Sequence, residues 1–328
     1  MGKDVWVIAE HFRGRLNDIT LELLGKGREL ALATSGTLTA VLLGSRVKGL
    51  TAELPADLVL MADRDEFAEF TPEIYSAALE GLLKAAQPRV VLMGSTSVGL
   101  DLLNLLSART ASPCIDNCTG LGIRDGRLFA TCQIYGGKVF AEVAIPDVST
   151  LIAVVPGSFP NPETSAAAQP EVREITLPPA LPEARTKFRR LIEPPPGDVD
   201  ITQVPLLVAV GRGIQNADNL AVAQELADAL GGAVCASRPV IDQGWLPLTR
   251  QVGKSGMTVK PKLYLALGIS GAPEHWEGMK NSELIVAINT DPKAPIFTGA
   301  HYGAVVDALD LIPALTEEVR KANLKKAS

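Results

Sequence analysis

In the last third of the chain, short apolar runs end repeatedly in the residue types that hold phosphates and sugars. Gly211-Arg212-Gly213 follows Leu206 to Val210, and Ser237-Arg238 follows Ala233 to Ala236. Gln251-Val-Gly-Lys-Ser-Gly256, Gly268-Ile-Ser-Gly-Ala-Pro-Glu-His275 and Asn289-Thr-Asp-Pro292 complete the set. Glycine lets a backbone approach a ligand closely, and Ser, Arg and Asn can donate to anions. Open α/β sheets bind ligands beyond the carboxyl ends of their strands, so five such ends point to one crevice. No Ser/His/Asp or Cys/His set accompanies them. The chemistry expected is the holding of a large phosphate-bearing cofactor, with little acid–base work by the protein.

Strands and helices must carry these ends. Val5 to Ala9, Thr39 to Leu43, Leu58 to Met61 and Arg89 to Met93 have the length and continuous apolarity of strands buried on both faces. Thr20 to Ala33 and Ile74 to Ala86 carry apolar residues at helical spacing, so the first hundred residues predict a parallel sheet with helices on its faces. Gly94-Ser-Thr-Ser-Val-Gly99 closes a strand and opens a helix. It is either a tight turn with a helix cap or a seat for a phosphate, and it lacks the Gly-Lys-Ser/Thr ending of a Walker loop. From Leu121 to Ile145 the pattern alternates, broken at Asp125-Gly126 and Gly136-Gly137, which signals hairpins.

Ten of the 23 prolines fall between Pro156 and Pro196, where the chain reads as an extended connector with one edge strand near Val172 to Leu177. The second half restarts the alternation, with a helix over Ala217 to Leu230 ended by Gly231-Gly232 and a last amphipathic helix over Ala304 to Ala322. The fold class expected is α/β in two domains, each a mainly parallel sheet with helices on both faces, the first with added antiparallel strands. The domains run 1–196, with the connector at the end, and 197–328.

Composition narrows the function. With 328 residues, 47% hydrophobic and 21% charged, the chain suits a two-domain globular protein. A net charge of -6 and the lack of a basic block argue against nucleic acid, and Lys321 to Lys326 fits a solvated helix end. Cys114 and Cys118 have no second pair at metal-ligand spacing, and His11, His275 and His301 are scattered, so free thiols in a reducing compartment are expected and no metal. No run approaches membrane-spanning length, and Met1 leads straight into a strand, so membrane insertion is not expected and the expected address is cytoplasmic.

The stretch from Val208 to Val319 resembles the FAD-binding domain of electron-transfer flavoprotein alpha subunits. The pieces that carry the resemblance are GRGIQ (Gly211 to Gln215), ASRPVID (Ala236 to Asp242), QVGKSG (Gln251 to Gly256), PKLYLALGISGAPEH (Pro261 to His275), IVAINTDPKAPIF (Ile285 to Phe297) and YGAVVD (Tyr302 to Asp307). The first domain resembles the family more loosely, through GSTSVG, CTGL and QIYGGK.

The resemblance implies FAD in this chain, and a heterodimer with a beta subunit that holds AMP or a second FAD. It implies electron transfer between dehydrogenases, such as acyl-CoA dehydrogenases, and an acceptor, rather than stand-alone catalysis. An electron-bifurcating, NADH-linked complex is the allied alternative. It places the pyrophosphate at Gly268, Ser270, Gly271 and Ala272, where the chain is expected to open a helix and offer free N–H groups. It places Asn289 and Asp307 on the adenosine side, and Arg212, Ser237 and the loop Gln251, Val252, Gly253, Lys254 and Ser255 on the cofactor. Arg238 is expected over the isoalloxazine ring, where its cation raises the flavin potential. Ser255 falls near flavin N5, and His275, after Pro273 and Glu274, near the pyrimidine carbonyl. Lys254-Ser255 and Pro273-Glu274 depart from the family's Gln-Thr and Ile-Gln, so the potential of relatives does not carry over. From other classes, an NAD-binding deacylase lacks its catalytic histidine motif here, and a nucleotide-sensing module on the first domain would be colourless.

Overall fold

The protein is represented by a computed structural model, which describes residues 2–135, 137, 139–162, 169–177, 181, 184–190 and 198–327. Much of the proline-rich stretch, the boundary expected near Pro196 and Gly136 of the second hairpin lie outside the described residues. The chain divides into two compact units, Met1–Arg190 and Leu191–Ser328.

The first unit runs β1 (Val5–Ile8), a small hairpin β2–β3 (His11–Phe12 and Arg15–Leu16), α1 (Asp18–Thr34), β4 (Leu38–Gly44), β5 (Leu58–Asp63), α2 (Pro72–Ala86), β6 (Val90–Gly94) and α3 (Ser97–Thr110). It continues with β7 (Cys114–Arg124), β8 (Arg127–Ile134), β9 (Val139–Ala144), β10 (Thr150–Val154) and β11 (Glu171–Glu174). Nine strands form one sheet in the order β11-β5-β4-β1-β6-β10-β7-β8-β9. Only β7-β8-β9 pair antiparallel. The first hairpin turns at Asp125 (φ 51°) and Gly126 (φ 74°), the two left-handed residues of a tight turn matched to strand twist.

The helices pack on both faces because the buried strands alternate. Val5 and Val7 join Leu23, Leu24 and Leu30 of α1 in one core, while Trp6 and Ile8 join Leu79 of α2 and Leu102 and Leu106 of α3 in the other. β11 is the expected edge strand, paired parallel to β5. One strand was not anticipated: after the hairpins the chain returns as β10, parallel to both β6 and β7 and between them.

The second unit contains β12 (Leu206–Val210), α4 (Leu220–Leu230), β13 (Ala233–Ala236), α5 (Arg238–Asp242), β14 (Leu263–Leu267), α6 (Pro273–Glu277), β15 (Leu284–Asn289), β16 (Tyr302–Val305) and α7 (Ala308–Ala327). Its five strands are all parallel, in the order β13-β12-β14-β15-β16. The helix expected from Ala304 begins instead at Ala308, and Tyr302 to Val305 form an edge strand ahead of it. Ala223, Leu226 and Ala227 of α4 and Ile312 of α7 cover one face. Val252, Val259, Ile269, Met279 and Ile296, from loops and short helical turns, cover the other. No helix among the described residues is long and apolar enough to cross a membrane.

Candidate functional site

From β12 the chain steps to β13 on one side and then to β14 on the other, so the carboxyl ends of β12 and β14 open a crevice at the switch point. The floor of that crevice is backbone against backbone. The Gly211 amide donates to the Leu267 carbonyl at 2.8 Å, and the Gly213 amide to the Gly268 carbonyl at 3.1 Å. Gly268 has φ +62°, and a Cβ there would stand 2.6 Å from the Gly213 Cα. A Cβ on Gly211 would stand 2.2 Å from the Gly268 oxygen. Two loops therefore meet with no room for a side chain.

Above this floor lies a cavity of about 840 Å³, within the size range of cofactor sites. Of the residues singled out from sequence, Arg212, Ser237, Arg238, Gln251, Val252, Gly253, Lys254, Ser255, Gly268, Ser270, Ala272, Glu274, His275 and Asn289 line it. Gly271 and Pro273 belong to the same loop without facing the cavity, and Asp307 lies elsewhere. Gly213, Pro239 and Ile269 also line the wall and were not picked out.

The loop after β14 is braced rather than loose. Asn289 Nδ2 donates to the Ile269 carbonyl at 2.9 Å, and the Ile296 amide donates to the Ser270 carbonyl at 2.9 Å. Among the described residues, the amides of Ser270 and Ala272 donate to no protein acceptor, so they remain available to an anion in the cavity. The helix expected to open here is a single short one, Pro273–Glu277. A helix of that length sums few peptide dipoles, so the loop amides rather than a macrodipole supply the positive potential.

The opposite wall is the 251–256 loop. Gln251 Nε2 donates to Ser255 Oγ at 2.9 Å, and the Lys254 amide donates to the Glu274 carbonyl at 2.7 Å, which ties this loop to α6. His275 is buried, with Nε2 2.9 Å from the Tyr264 hydroxyl and Nδ1 3.1 Å from the Val252 carbonyl oxygen. Burial pushes its pKa down to about 4, so the imidazole is neutral. At the rim Arg238 is 68% exposed and pairs with Asp242 one turn along α5. Arg238, Arg212 and Lys254 make this rim cationic, and Glu274 is the one acid among the lining residues.

Asp307 has a local task. Its Oδ1 accepts the Leu309 amide at 2.9 Å, which caps α7, and its Oδ2 accepts from Gln215 Nε2 at 3.4 Å. Asp307→Ala is expected to cost about 1 kcal/mol of stability through the lost cap, and to release Gln215 from the turn after Arg212. Urea unfolding with and without FAD measures both effects. Unchanged stability would remove the capping role.

The switch point of the first sheet, between β1 and β6, is filled from within. Glu10 follows β1 and is buried, and the N-cap residue Thr96 donates to its carboxylate at 2.9 Å from each oxygen. Burial pushes the Glu10 carboxyl above its ordinary range, opposed by hydrogen bonds from Thr96, Gly94 and Asn17. Thr96 Oγ1 also accepts the Gly99 amide at 3.0 Å, so the GSTSVG stretch is a turn with a helix cap, and the protein's own carboxylate sits where a phosphate would.

Comparison with known proteins gives a consistent result for both units. Residues 5–180 match the family model described as electron transfer flavoprotein domain, and residues 200–280 match the electron transfer flavoprotein FAD-binding domain. The electron transfer flavoprotein subunit alpha of Thermoanaerobacterium thermosaccharolyticum is 38% identical over 324 residues, covering 97% of this chain and 98% of that protein. Its namesake from Bacillus subtilis is 34% identical over 327 residues, 99% of each chain. The acryloyl-CoA reductase electron transfer subunit beta of Anaerotignum propionicum is 34% identical, with 97% of this chain and 96% of that protein covered.

Proposed function

Because the chain belongs to the electron transfer flavoprotein alpha-subunit family, we propose that the cavity of its second unit holds FAD and that the chain carries electrons as one half of a heterodimer with a beta subunit. The observation that supports the site most is the glycine-floored crevice at the switch point, where the loops of four parallel strands line one cavity. The residues present fit a dinucleotide. The Ser270 and Ala272 amides suit the pyrophosphate, and Arg212 and Lys254 add cations. Ser237 and Ser255 offer hydroxyls, and the adenosine side is assigned to Asn289, which lines the cavity, and to Asp307, which lies outside the lining and accepts from Gln215.

Bound FAD supplies one- and two-electron chemistry. The protein binds and orients it, and Arg238 places a fixed cation at the rim of its site. His275 is not placed to shuttle protons, since it is neutral with both ring nitrogens engaged. On edge strand β9, Val139 and Val143 are exposed on one face and Phe140 on the other, an apolar edge of the kind protein partners use. The beta subunit is proposed to carry AMP or a second FAD. The redox partner proposed is an acyl-CoA oxidoreductase, in keeping with the name of the Anaerotignum relative.

The test is to purify the full chain with its partner and measure the visible spectrum and bound FAD. A yellow protein with one FAD in this chain is expected, and a colourless protein that takes up no FAD would overturn the proposal. Arg238→Ala is expected to keep FAD while lowering its reduction potential by tens of millivolts, the scale of one solvent-screened charge near the ring. An unchanged potential would remove Arg238 from that role.

A further inference from the structure

Tyr264 is the second residue of β14, between aliphatic neighbours, and is 0% exposed. It does not line the cavity. A buried phenol needs a hydrogen-bond partner, and its hydroxyl lies 2.9 Å from His275 Nε2. The other ring nitrogen, Nδ1, lies 3.1 Å from the Val252 carbonyl oxygen. A carbonyl only accepts, so Nδ1 carries the proton. In a neutral ring Nε2 is then a bare lone pair, and the Tyr264 hydroxyl must donate to it. Cys235, also fully buried, is a neighbour of Tyr264. The two protons are thereby directed one way, from Tyr264 to His275 and from His275 to Val252.

The end of this chain is a wall of the cavity. Val252 belongs to the 251–256 loop, whose other ties include the Val252 amide to the Ala236 carbonyl at 2.9 Å, the Gly253 amide to the Met257 carbonyl at 3.2 Å and the Lys254 amide to the Glu274 carbonyl at 2.7 Å. The loop packs hard against α6: a Cβ on Gly253 would stand 2.9 Å from the Glu274 oxygen. A shift of His275 therefore moves the loop.

We propose that Tyr264 is a positioning residue of the cofactor site: by donating to His275 Nε2 it fixes the Nδ1–H form of the imidazole, whose proton clamps the Val252 carbonyl and holds the 251–256 loop in place. The loop brings Gln251, Lys254 and Ser255 to the cavity, so the inference deepens the FAD-binding function proposed above and rests on it. Burial keeps the relay uncharged. It holds the Cys235 thiol up at about 12, Tyr264 well above its ordinary value and His275 down at about 4. His275 thus has no ring nitrogen to spare for a ligand and contributes no charge, which leaves Arg212, Arg238 and Lys254 as the cations of the site.

The test is long-range proton–nitrogen NMR of the His275 ring in the 15N-labelled full chain, paired with FAD titration. The wild type is expected to show a protonated Nδ1 and a bare Nε2, with and without FAD. Tyr264→Phe is expected to admit the other tautomer and to weaken FAD binding about ten-fold, the effect of one lost buried hydrogen bond passed on to the loop. Cys235→Ala, which leaves the tyrosine donor in place, is expected to keep the Nδ1–H form. An Nε2–H ring in the wild type would overturn the inference. So would a Tyr264→Phe chain with the original tautomer and FAD affinity. A wild-type chain that binds no FAD refutes the proposed cofactor instead, while the tautomer still tests Tyr264. If Tyr264→Phe does not fold, the wild-type spectrum decides alone.

Discussion

Gly268→Ala is expected to abolish FAD retention and to destabilise the second unit by about 2–5 kcal/mol. Two costs add. Residue 268 sits at φ +62°, where an L side chain loses about 1–2 kcal/mol. The new methyl would also lie 2.6 Å from the Gly213 Cα and 3.0 Å from its carbonyl carbon, and backbone cannot rotate aside as a side chain can. Overpacking of that kind costs a further 1–3 kcal/mol or so. Gly231 isolates the first term. It has φ +71°, but no atom lies within 4 Å of a Cβ built there. Gly231→Ala should therefore lose only about 1–2 kcal/mol and keep its flavin. Urea unfolding of both variants, with the bound FAD of each read from its visible spectrum, makes the comparison. If Gly268→Ala kept its flavin and matched Gly231→Ala in stability, the contact between the two strand-end loops would not be what builds the floor.

That floor also shows how far sequence carries. The strand ends were legible because glycine, serine and arginine stand out after apolar runs, and the structure brings Gly211, Ser237, Gln251, Gly268 and Asn289 to one end of one sheet. Contact between Gly213 and Gly268 was not legible, since it joins residues more than fifty positions apart and depends on which strands are neighbours. Thr150 to Val154 is a buried apolar run like the others, but it follows two hairpin signals, and only strand order shows that it slots between β6 and β7. Tyr302 to Val305 is short, holds a glycine and is largely exposed, so its residues merged into the amphipathic pattern of the next helix. Tyr264 carried the one available signal for its role: a hydroxyl in a strand with no other polar atom among its side chains, which a dry core must satisfy somewhere.

Arg250→Ala is expected to remove about 3 kcal/mol, the low end for breaking a buried ion pair, and to alter the acid sensitivity of the protein. Arg250 and Asp198 are 15% and 12% exposed, with Nη2 and Oδ1 2.6 Å apart. Arg250 Nε also donates to Asp198 at 2.7 Å and Nη1 to the Val234 carbonyl at 2.7 Å, and the Thr249 hydroxyl donates to the same carboxylate. One side chain, just before the 251–256 loop, thus fastens the start of the described second unit to β13. Removing it strands a half-buried carboxylate, which explains a cost well above that of a surface pair. Burial raises the Asp198 pKa, but hydrogen bonds from Arg250 and Thr249 outweigh it, and the carboxyl ends below its ordinary value. A group with a depressed folded pKa contributes its full stability above the unfolded value and loses it as pH falls through the folded one. The pair therefore stabilises the protein at neutral pH and fades only in acid below the ordinary carboxylate range. In Arg250→Ala burial is opposed only by the hydrogen bonds from Thr249 and the Val199 amide, so Asp198 titrates higher than in the wild type and protonation relieves the strain. The gap between wild type and variant in urea unfolding should be widest near neutral pH and close in acid. A gap that stayed constant, or grew in acid, would mean that Arg250 acts through packing alone.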